Sequence, residues 1–161
     1  MSSYKFEEIG RALNRIAQKL NKDQPLCRLL KYMESNPLSN ELDDWDDTVS
    51  LVGTNIRIVP KVRLNEVTEP YVVITIPQIE LHDNLDFSLL TVQIDVLCPI
   101  DKWQIDDICP RPFKIMQRIY DCLQASKVTG IGTMQFLTSS QSVIYEGVSD
   151  NQMVFQVTAN G

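Results

Sequence analysis

The chain has 161 residues, 43% of them hydrophobic, enough to bury a core as one domain without disulfide or metal staples. Fifteen basic residues against 21 acidic ones give a net charge of −6 and an isoelectric point near 4.7, which argues against a surface built to hold a phosphate backbone. Cys27, Cys98, Cys109 and Cys122 show no CxxC spacing, there is one histidine, and neither a signal peptide nor an apolar run of ~20 residues is present, so a soluble chain with reduced, mostly buried thiols in a reducing cytoplasm is expected.

Residues 4–21 place Ile9, Leu13, Ile16, Ala17 and Leu20 on one helical face, the stripe of a helix that docks on a layer beneath it. Asp23 can cap a second helix, Pro25 suits its first turn, and Leu26, Leu29, Leu30 and Met33 continue the stripe, with an end expected before Asn36-Pro37. Residues 38–50 are too charged and irregular for core and read as an acidic surface loop. Ile56, Ile58, Pro60 and Val62 alternate with polar residues, and the proline puts that strand at an edge or bulge.

Residues 71–79 are denser in apolar side chains, as in a strand covered on both faces or buried at a subunit contact. His82-Asp83-Asn84 turns the chain into Phe87, so residues 71–97 should form a long antiparallel hairpin. In its second arm Leu90, Val92, Ile94 and Val96 fall on every second residue, with polar residues between. Pro110 and Pro112 then bracket a helix start near Arg111, and Ile115, Met116, Ile119, Tyr120 and Leu123 form a stripe able to lie on that strand. Beyond Gly130 and Gly132, short strands are expected at 134–137 and 142–145, a turn at Ser149-Asp150-Asn151 and a last strand at 153–158. The sum is an α+β fold over residues 1–161: a two-layer sandwich of a mainly antiparallel sheet with an N-terminal helix pair and one inserted helix.

Site chemistry is sparse. Asp43, Asp44, Asp46 and Asp47 lack the alternate spacing and the glycine of a calcium loop, so a solvated or partner-facing surface is expected rather than a metal site. Trp45 among them either tucks into the domain or anchors a contact. His82 has no nucleophile or ligand pattern near it, Cys109 at a helix start has no local histidine, and Gly130-Ile131-Gly132 lacks the third glycine of a dinucleotide fingerprint. No cofactor, metal or catalytic activity is expected. The competing readings are a small metal-dependent enzyme using Asp43, Asp46 and Asp95, and an adaptor that binds a peptide along a sheet edge.

The runs from Cys98 through Trp103 to Ile105, from Arg111-Pro112-Phe113 to Met116, and from Gly130 to Phe136 resemble a pattern of tail terminator and related neck proteins of tailed double-stranded DNA bacteriophages. There a long strand leads to a tryptophan turn, an Arg-Pro-Phe-type helix start and a glycine-bounded return strand. The resemblance covers roughly residues 71–136; the 38–50 loop and the second helix exceed what a minimal member needs. It implies a virion protein forming a homo-oligomeric ring, usually hexameric, that ends the tail tube and meets the head connector, with a head-completion adaptor of the neck as the alternative. On that reading the partners are a tail-tube protein and a connector protein, and DNA passes the lumen without specific binding. The hairpin's outer part, with Ile76, Ile79, Leu81 and Leu85, is expected to project onto the neighbouring subunit, and the loop with Asp43, Asp44, Trp45, Asp46 and Asp47 to face a partner or the lumen.

Overall fold

A computed structural model describes residues 5–59, 66–81, 87–145 and 147–159. They form three helices and a five-stranded sheet in the order β1-β2-β3-β5-β4, with β1 (Ile56–Arg57) parallel to β2 (Tyr71–Leu81) and the other neighbours antiparallel. The helices α1 (Lys5–Asn21), α2 (Gln24–Lys31) and α3 (Arg111–Leu123) share one layer, and β3 (Phe87–Pro99) lies at the centre of the sheet. This is the α+β sandwich that the periodicities require.

The alternation in β3 decides the layering. Leu90, Val92, Ile94 and Val96 are fully buried in one cluster with Ile115, Ile119 and Leu123 of α3 and with Ile16, Ala17 and Leu20 of α1. Thr91, Gln93 and Asp95 point to the opposite, helix-free face and stay half-buried. A smaller cluster of Val67, Val73, Leu97 and Val148, with Tyr71 beside it, covers only one end of that second face. Two-sided burial of β2 is therefore confined to its start, and from Thr75 to Glu80 the strand is half-buried or exposed.

Four expected boundaries move. The second helix ends at Lys31, short of Met33, because Tyr32 leaves helical geometry (φ −88°, ψ 106°) and closes the last turn onto Arg28 O. The strand begun at Ile56 is paired for two residues only, and residues 60–65 lie outside those described. The two short strands at 134–137 and 142–145 are one continuous strand, β4 (Gly132–Tyr145), bulged between Phe136 and Thr138. Ser149-Asp150-Asn151 is no turn: the reversal is at Gly147 (φ 86°), and β5 runs from Val148 to Ala159. Ser149 looks like a turn residue in the sequence, yet it is buried and accepts Trp103 Nε1 at 2.7 Å while donating to Cys98 O at 3.2 Å.

Partly buried hydrogen bonds join the layer together. Asp23 caps α2 by accepting from Leu26 N at 3.1 Å, and its two oxygens also take Arg118 Nε and Nη2 of α3 at 2.9 and 2.7 Å. Gly130 (φ 75°) takes a left-handed backbone conformation that strains any residue with a side chain, and a Cβ there would also push aside the Arg15 guanidinium that donates to Thr129 O.

Candidate assembly surface

The residues of the tryptophan and Arg-Pro-Phe runs meet in space. Arg111 N donates to Trp103 O at 2.8 Å, and the Trp103 and Phe113 rings sit edge to face at 6.0 Å. Arg111 itself is 1% exposed, and its guanidinium donates to four carbonyls: Leu29 and Tyr32 at the end of α2 (2.7 and 2.9 Å), Lys102 (2.9 Å) and Glu34 (3.0 Å). Burial lowers its pKa from the ordinary arginine value, and the carbonyl dipoles at a helix C-terminus are where a cation is best placed. Sequence reading marks Arg111 only as a helix start; its clamp depends on which carbonyls the fold brings within reach.

The acidic loop is pinned to α2. Trp45 exchanges two hydrogen bonds with Gln24, N to Oε1 at 2.6 Å and Nε2 to O at 3.0 Å. Its ring packs on the core and meets Tyr32 edge to face at 6.4 Å, while Tyr32 donates to Asp43 O at 2.7 Å. Of its two readings, Trp45 takes the one that tucks into the domain. Asp46 accepts from Thr48 N and Oγ1 within the loop, Asp44 lies 3.7 Å from Arg28, and Asp43, Asp44, Asp46 and Asp47 keep exposed positions.

The enzyme candidates stay apart. Asp43 and Asp46 belong to the loop beside α2, whereas Asp95 points from the opposite face of the sheet, and no three acidic, histidine or cysteine groups among the described residues are placed to hold a metal ion. Burial pushes the thiols of Cys27 and Cys122 up to about 11 and that of Cys98 to about 12, far from nucleophilic thiolates at neutral pH. Cys109 is half-buried, with its sulfur 3.7 Å from Pro110 O. His82 lies outside the described residues.

On the hairpin, Ile76 and Ile79 are half-buried against the main core rather than standing clear of it, because α1 packs over this strand. Leu81 is the last residue of β2, and Leu85 lies outside the described residues. The larger exposed apolar surface is one the sequence reading passed over. Leu137 and Val143 on β4 are 51% and 66% exposed, and Phe113 and Tyr120 of α3 are 41% and 37% exposed. Between α3 and β4 runs a groove of about 540 Å³ lined by Phe113, Met116, Tyr120, Phe136, Ser139 and Met153. The available signal was charge: no Asp, Glu, Lys or Arg occurs between Lys127 and Glu146.

The helix-free face carries one further pair. Asp95 accepts Gln93 Nε2 at 3.0 Å and Gln152 Nε2 at 3.4 Å, and Asp150 lies beside it with Oδ1 buried and without a hydrogen-bond partner among the described residues. Burial first, and the neighbouring Asp95 carboxyl second, push Asp150 up to about 7. A carboxyl that holds its proton more tightly folded than unfolded stabilises fully below the ordinary pKa of about 4, and that contribution is lost as pH rises through about 7. Thermal melts from pH 5 to 8 are therefore expected to fall more steeply for wild type than for Asp150→Asn, with the variant the more stable at pH 8. Parallel pH profiles for the two proteins would show the pair to be independent.

Fold and surface together define a class: a two-layer α+β module with a polar, largely bare sheet face and a long uncharged edge strand. The chain belongs to the YomW family, whose model matches residues 23–158. No curated protein matches the sequence. Among solved structures, a chain of the "Virion of native gene transfer agent (GTA) particle" is similar at 14% identity and a TM-score of 0.55, over 92% of this chain and 94% of that one, which is a likeness of fold.

Proposed function

We propose that the protein is a virion structural protein, one subunit of a homo-oligomeric ring of six at a head–tail junction, where the ring ends the tail tube and joins it to the head connector. The observation that carries this reading is the likeness of fold to a chain of a gene transfer agent virion, which extends over 92% of this chain and 94% of that one. The contact of Trp103, Arg111 and Phe113, the residues on which the tail-terminator resemblance rests, supports it independently. In this reading Ile76, Ile79, Leu81 and Leu85 belong to the subunit contact. Asp43, Asp44, Asp46 and Asp47 face a partner or the lumen, where a chain of net charge −6 lets DNA pass without holding it.

Size-exclusion chromatography with light scattering tests the reading. Ile79→Ala with Leu81→Ala is expected to give subunits with wild-type circular dichroism that fail to close a ring. Charge reversal at Asp43, Asp44, Asp46 and Asp47 is expected to leave the ring intact and weaken docking to tail tubes. Rings from the double alanine variant equal to those of wild type would remove the hairpin from the interface.

A further inference from the structure

A ring repeats one heterologous contact, so each subunit must present two different, complementary patches. The sheet offers such a pair at its two edges. At one edge, β4 is 14 residues long, and natural edges of that length are guarded by lysine, proline or inward charges. β4 has none of these. The outer backbone at the start of β4 is taken by the segment after α3, with Met134 paired to Ala125 N and Ser126 O and Phe136 N donating to Gln124 Oε1, whereas residues 137–143 are exposed on both faces and have no strand on their outer side among the described residues. At the other edge, β1 covers only Val72 and Val73 of β2, and from Ile74 to Leu81 no described strand lies on the outer side. That segment contains a single charged residue, Glu80.

Strand direction makes the two edges compatible. β2, β3, β5 and β4 alternate in direction across the sheet. A rotation axis inclined to the strands still preserves their direction from copy to copy, so the next subunit's β2 would meet β4 antiparallel and continue the alternation. Pairing across the sheet puts Ile74 level with Ser139 and Gln78 level with Gln135, so the incoming strand would be stepped along β4 to lie beside residues 137–143, as in rings whose strands tilt to the axis. Pro77, at the β2 bulge between Thr75 and Gln78, interrupts such a ladder at one point without preventing pairing on either side. The helix layer agrees: α1 packs over β1 and β2, α3 over β3 and β4, and the groove beside β4 is the place left for the next subunit's apolar side chains.

We infer that the β4 edge is the docking strand for a second copy of this chain, which adds the outer half of its β2, Ile74 to Leu81, so that one sheet runs from subunit to subunit. The inference rests on the ring reading and specifies its contact. Main-chain hydrogen bonds would give the affinity, and the groove between α3 and β4 the fit for alternate side chains.

Disulfide trapping tests it. Gln78→Cys is combined in turn with Thr138→Cys, Ser140→Cys or Ser142→Cys; all four positions are on the helix-free face of their strands, and the β4 sites are exposed. In at least one combination, oxidation of assembled protein is expected to give a ladder of covalent oligomers ending at the ring, while each single cysteine gives none. Rings that assemble as in wild type but yield no ladder in any combination would overturn the inference and leave the ring reading standing. Dimers from Ser140→Cys alone would assign β4 to a two-fold contact with another β4 and overturn it as well. A wild-type protein that forms no ring would remove the reading beneath it.

Discussion

Arg111→Met is expected to destabilise the fold by about 2–6 kcal/mol in urea unfolding, the largest loss from any single polar side chain. Its guanidinium is 1% exposed and is the donor to four carbonyls drawn from α2, the segment after it and the turn before α3. A buried carbonyl left dry costs about 1–3 kcal/mol, so even with half of the four rehydrated the loss falls in that range. Methionine fills similar volume and removes the charge, which separates hydrogen bonding from packing. Arg111→Lys keeps the charge but cannot fork to four acceptors, so an intermediate loss is expected. A midpoint for Arg111→Met within experimental error of wild type would show that water replaces the clamp.

Ile94→Asp is expected to cost about 4 kcal/mol or more and to abolish soluble expression in a marginally stable background. Ile94 is fully buried on the helix side of the central strand, in the cluster that holds Ile115, Ile119 and Leu123. No cation of that cluster is available to pair an introduced carboxylate, so the charge would have to be buried alone or the strand displaced from α3. Ile94→Val removes one methylene from the same place and is expected to cost only about 0.5–1.5 kcal/mol. A soluble Ile94→Asp protein with wild-type stability would contradict the sandwich itself.

What was legible in the sequence follows from how burial writes itself into side-chain patterns. β3, α1 and α3 each have one dry and one wet side, and their periods of two and of three to four can be read directly. β4 cannot be read that way, because over 137–143 both of its faces are exposed and no alternation is imposed; its Thr-Ser-Ser-Gln run imitates a loop. β5 misleads in the other direction, since Ser149 and Asn151 are polar yet buried, with Ser149 satisfied by Trp103 and by Cys98 O. The Arg111 clamp reaches the α2 end and Glu34 across 77 residues or more, and Asp95 meets Asp150 across 55, and nothing in a local pattern announces such meetings. The acidic loop was legible as surface, while the inward side of Trp45 depended on Gln24 being in place to meet it.

The proposed role depends most directly on whether the chain closes into a ring, and native mass spectrometry of the untagged protein at several concentrations measures that. The account predicts one dominant closed oligomer, six copies of the 18.4 kDa chain, whose copy number does not change as concentration is raised. A monomer at high concentration that remains a monomer when mixed with tail tubes would contradict it.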